Sequence, residues 1–140
     1  MKEILFQCEA PYVLVRFSNF KLLTNDEYKR IELNVEMKTH TFHLQKRIEG
    51  YMSELSRLFT DLNTLSEGST NHLHLTFLGD YFSLELKKSV NEEIALTCGI
   101  SCYEGTRDVT LEMEGSLKSN DMKTILSQVE AIIKELSPQP

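Results

Sequence analysis

The chain has 140 residues, 41% of them hydrophobic, and carries 21 acidic side chains against 15 basic ones for a formal charge of −6. That length suits one domain, because two halves would each be left with a marginal core. The charge argues against direct binding to nucleic acid or to an anionic membrane, both held by Lys and Arg, and no apolar run is long enough to span a bilayer.

Ile4 to Cys8 reads as a short apolar strand, broken by Glu9-Ala10-Pro11 because Pro cannot donate to a central ladder. Lys2-Glu3 followed by only this short stretch is not a signal peptide, so the expected location is cytoplasmic. Tyr12 to Phe17 is apolar on both faces for most of its length, the pattern of a strand at an inner position. Ser18 to Asp26 reads as a loop pinned to the body by Phe20, Leu22 and Leu23. From Lys29 to Lys38 the alternation is clean, with Ile31, Leu33, Val35 and Met37 inward.

Thr39 to Leu44 then reads as the approach to a helix. The period changes from two to between three and four at Ile48, Met52, Leu55, Phe59 and Leu62, which predicts a helix over 49–62. Gly50 would weaken its first turn by up to about 1 kcal/mol relative to Ala. The cluster Ser66 to Asn71 ends it.

His72 to Lys87 is a hairpin with its register written into it. With Gly79-Asp80 at the turn, Phe77 faces Phe82, Leu75 faces Leu84 and Leu73 faces Leu86, all on one side. A slip of one residue would send every apolar group to the wrong face. Ser89 to Glu92 connects to a second hairpin, where Glu104-Gly105 at the turn would set Ile100 against Val109, Cys98 against Leu111 and Leu96 against Met113. Gly115 closes this meander. Ser119 or Asn120 can cap a last helix with Asp121 in its first turn. Its stripe is Met122, Ile125, Leu126, Val129, Ile132, Ile133 and Leu136, and Pro138 stops it.

The element order is therefore β-β-β-α-β-β-β-β-α. Tight turns between strands predict an α+β fold with a mainly antiparallel, six- to seven-stranded sheet, and the two amphipathic helices must lay their stripes on an apolar face. The side on which each helix packs stays open.

No G-x-G-x-x-G, P-loop, G-x-S-x-G or H-E-x-x-H occurs, so no enzyme activity and no cofactor is expected. His72 and His74 share a strand face with Glu85 opposite His74. That could seat two metal ligands, but an ordinary cross-strand polar pair is the commoner outcome and no metal site is assigned. His40 and His43 flank the expected helix entry without a ligand partner at suitable spacing. Cys8, Cys98 and Cys102 are odd in number and lack metal spacing, which fits reduced, buried thiols; Cys98 and Cys102 would lie about 13 Å apart along a strand, too far to bridge.

The carboxylates carry the clearest functional signal. Glu92-Glu93 and the Glu112/Glu114 pair lie in exposed stretches, where the pKa shifts that acid/base chemistry needs are not expected. The outward strand residues include Glu32, Glu36, Glu85, Asp108, Glu112 and Glu114, against Arg30, Lys38 and Lys87. An acidic face of this kind suits a cationic protein partner.

The apolar-aromatic run Tyr12 to Phe17, the alternating Ile31 to Met37 strand, the Phe42-x-Leu44 step toward Leu55 and Phe59, the Gly-Asp hairpin and the D-x-x-x-I-L-x-x-V helix of Asp121 to Val129 together resemble WapI-type immunity proteins. These small bacterial proteins are encoded beside polymorphic or contact-dependent growth-inhibition toxins. The resemblance covers roughly Ile4 to Leu136 and is one of pattern and length. It implies a non-enzymatic inhibitor that binds a cognate toxin C-terminal domain in the cytoplasm, with a basic nuclease as a fitting target. A secretion chaperone for an effector would use the same features, and a small ligand-binding domain would need a pocket of convergent polar groups. The oligomeric state is not legible.

Overall fold

The same order of elements, four antiparallel strands and then a helix, runs twice through the chain. The structure is a computed structural model that describes residues 2–24, 27–77, 82–89, 91, 93–104 and 107–137. The first unit comprises β1 (Ile4–Glu9), β2 (Tyr12–Leu22), β3 (Arg30–Lys38), β4 (His43–Tyr51) and α1 (Met52–Glu67). The second comprises β5 (His72–Phe77), β6 (Phe82–Lys88), β7 (Ile94–Glu104), β8 (Arg107–Leu117) and α2 (Asp121–Leu136). The class is α+β with two helices, but the strands form two four-stranded sheets, β1-β2-β3-β4 and β5-β6-β7-β8, rather than one sheet of six or seven.

The additional strand is β4, where the sequence pattern pointed to a helix entry. Ile48 precedes Met52 by four residues and so imitates a helical stripe, yet it pairs with Leu33 in β3. On its inner side β4 presents Leu44, Lys46, Ile48 and Gly50, and the lysine hides the alternation. Its ammonium donates to the backbone carbonyl of Ser101 in the second sheet at 3.1 Å. The helix begins at Met52 and buries Met52, Leu55, Leu58, Leu62 and Leu65. Glu54 accepts from the Tyr51 backbone N–H at 2.7 Å at its start. Gly68, at φ +82°, ends it: its N–H reaches the Leu65 carbonyl and the Ser69 N–H that of Thr64.

The segment from Ser18, read as loop, is strand as far as Leu22. Asn19 takes φ +54°, a left-handed conformation that Asn tolerates, and the β2–β3 register shifts between Ser18 and Lys21. Asn25 and Asp26 lie outside the described residues.

In the β5–β6 hairpin Leu73 pairs with Leu86, Leu75 with Leu84 and Phe77 with Phe82, as the alternation requires; the turn residues Gly79 and Asp80 lie outside the described residues. The β7–β8 pairing differs from expectation by two residues. Ile100 faces Leu111, Cys98 faces Met113 and Leu96 faces Gly115, with Glu104 opposite Arg107. A shift of two leaves every side chain on its own face, so hydrophobic alternation cannot detect it. Gly105, expected at the turn, lies outside the described residues, as do Glu92 and Pro138.

This register sets Gly115 against the first sheet. A Cβ there would stand 2.6 Å from Cys8 Sγ, so the missing side chain lets β8 close on β1. Phe17 of β2 meets Phe82 of β6 across the same interior. One apolar cluster takes in the inner faces of both sheets and the buried stripes of both helices. The helices pack against each other; α1 also lies on β5 and α2 on β1 and β2, so each touches the other unit's strands. Gln128 of α2 accepts from the Leu5 N–H of the edge strand β1 at 2.9 Å.

Asn120 makes no side-chain cap to α2. The Ser119 carbonyl instead receives the Met122 N–H, and Asp121 Oδ2 receives the Lys118 N–H at 3.0 Å. Cys8 and Cys98 are free and buried, and burial pushes their thiols up to about 11 and about 12, which keeps them protonated and unreactive.

Candidate protein-binding face

Each sheet turns one face inward and one to solvent, and the two outer faces differ in how they handle charge. On the first sheet, Arg16, Glu36 and Gln45 stand side by side on β2, β3 and β4. Glu36 Oε1 takes a hydrogen bond from Arg16 Nη1 at 2.7 Å, and its Oε2 is bonded to His43 Nε2 at 2.6 Å and to Gln45 Nε2 at 3.0 Å. Arg16 Nε also lies 3.2 Å from Glu3 Oε2. Glu36 is only 8% exposed. Burial would raise its pKa, but the bonds from His43 and Gln45 and the charges of Arg16 and His43 outweigh burial and hold the carboxyl below the ordinary carboxylate range.

Farther along, Arg47 pairs with Glu32 and donates to Asn34 at 2.9 Å, and Arg30 pairs with Glu49. Leu14, on this outer side of β2, is 6% exposed. On this face Glu32, Glu36 and Glu49 are thus each held in an ion pair.

On the second sheet, three rows cross the strands. His74, Glu85, Thr97 and Glu114 make one row; Thr76, Ser83, Gly99 and Glu112 the next; His72, Lys87, Ala95 and Ser116 the third. Of the two inner strands, β6 contributes Glu85 and Lys87 with Ser83, while β7 contributes the uncharged Ala95, Thr97, Gly99 and Ser101 among the described side chains. His72 Nε2 lies 3.4 Å from Glu85 Oε1, and Ser101 and Thr110 share a hydroxyl hydrogen bond of 3.0 Å. Glu112 and Glu114 are exposed, and among the described residues neither joins an ion pair. Such solvated carboxylates are acceptors for an incoming cation and are poor acid/base catalysts.

The six acidic residues singled out in the sequence therefore do not share a face. Glu32 and Glu36 lie on the first sheet and are engaged by Arg47 and by Arg16, His43 and Gln45. Glu85, Glu112 and Glu114 lie together on the second, and Asp108 holds the backbone position opposite Tyr103 near the start of β8, its side chain outside the described residues. The donors Gln45, which bonds Glu36, and Arg47, which pairs with Glu32, were not legible as such, because a helix-entry reading hides their alternation opposite Glu36 and Asn34.

Hollows open to solvent among the described residues include one of about 360 Å³ beside Tyr28 and Tyr51, one of about 420 Å³ between Glu9, Lys118 and Asp121, and one of about 340 Å³ beside Phe20 and Arg47. None of these includes the β5 histidines. Among the described residues no group of three or more His, Cys, Asp or Glu is arranged to hold a metal ion, and no helix is long and apolar enough to cross a membrane.

No family model matches this chain, and no curated protein does. Among solved structures it is similar to a chain from the crystal structures of Trypanosoma brucei MRP1/MRP2, at 13% identity and a TM-score of 0.40 over 94% of this chain and 84% of that one. A likeness at that level transfers neither fold nor function.

Proposed function

We propose that this chain is an immunity-type protein that binds and neutralises the basic C-terminal domain of a cognate toxin in the cytoplasm, by occupation rather than by catalysis. The contact surface is the outer face of the second sheet, with Glu85, Glu112 and Glu114 meeting cations on the toxin. The observation that carries this reading is the contrast between the sheets: Glu32 and Glu36 have their charge answered within the fold, whereas Glu112 and Glu114 present theirs to solvent. Unanswered carboxylates on an exposed face steer a cationic partner and fix its register. The resemblance to WapI-type immunity proteins supports the same reading.

The test is to identify a large secreted protein encoded beside this chain and co-express its C-terminal domain with it, scoring survival and co-purification together. Survival with a stoichiometric complex is the expected result. Death of the cells with no complex overturns the reading for that pair.

A further inference from the structure

We draw no further inference here: the strongest candidate, the exposed aromatic tip of the β3–β4 hairpin where Phe42 projects near the stacked Tyr12 and His40 rings, carries nothing because nothing in the structure shows what covers it.

Discussion

Phe17 and Phe82 meet edge to face across the two sheets, ring centroids 5.4 Å apart and planes at 83°, and both are fully buried. They come from different units, so the contact couples the halves directly. Truncation of either ring to Ala removes its buried area and leaves a cavity in a close-packed interior, at an expected cost of about 3–5 kcal/mol. Urea unfolding of Phe17→Ala and Phe82→Ala measures it. A loss under about 1 kcal/mol in both would mean that the sheets do not depend on this contact.

Gly115 marks the other close approach between the sheets. A Cβ there would meet Cys8 Sγ at 2.6 Å, Cys8 Cβ at 2.8 Å and Val13 Cβ at 3.3 Å, all on strands whose backbones are held by pairing. Gly115→Ala should therefore destabilise by about 1–3 kcal/mol, the usual range for overpacking. Cys8→Ala removes the nearest of these atoms, so the double mutant should recover part of the loss, and a double-mutant cycle reads the coupling. Strict additivity would reject the clash.

Glu36 sets an acid limit. Its folded pKa lies below its ordinary value of 4.5, so its contribution is fully present above that value and is lost as pH falls through the lower folded one. Glu54 works in the opposite sense, because burial raises its pKa. In Glu36→Gln the stability lost between pH 5 and acid should shrink relative to wild type, while stability at pH 7 falls as Arg16 and His43 lose their carboxylate. Chemical unfolding across that pH range checks both, and an unchanged acid slope would remove Glu36 from the account.

Charge reversal separates the two outer faces. Glu112→Lys with Glu114→Lys should slow association with the basic toxin domain by about tenfold or more at low ionic strength, with the difference shrinking as salt rises. The fold should survive, since both side chains are exposed. Glu32→Lys, by contrast, sets a lysine against Arg47 and should cost stability with little change in association rate. Stopped-flow binding beside thermal melts distinguishes these outcomes; equal rates for wild type and the double reversal would exclude the second sheet as the contact face.

How much of this was legible depended on which symmetry each sequence pattern possesses. The β5–β6 hairpin was readable to the residue because the two strands and the short turn between them agree on one register. The β7–β8 pairing was not, because a two-residue shift preserves the face of every side chain, and the packing of Gly115 on Cys8 involves strands more than a hundred positions apart. The strand β4 was misread through the coincidence of Ile48 with the helical stripe and through Lys46 at an inward position. With β4 hidden, neither the division into two sheets nor the answers to Glu32 and Glu36 could be seen. The outward carboxylates themselves were plain from alternation; their neutralisation required the neighbouring strands.

The bond between Leu5 and Gln128 joins residues 123 positions apart, so it forms only after α2 has been synthesised. The edge of β1 leaves the ribosome more than a hundred residues before the helix that covers it. Until α2 emerges, the nascent chain exposes an open strand edge and the apolar sides of β1 and β2, the kind of surface on which unfinished chains stick to one another. Translation that stalls after β8 should therefore yield an aggregating product rather than a weakened protein, and fast elongation through the codons of α2 would shorten the interval of risk.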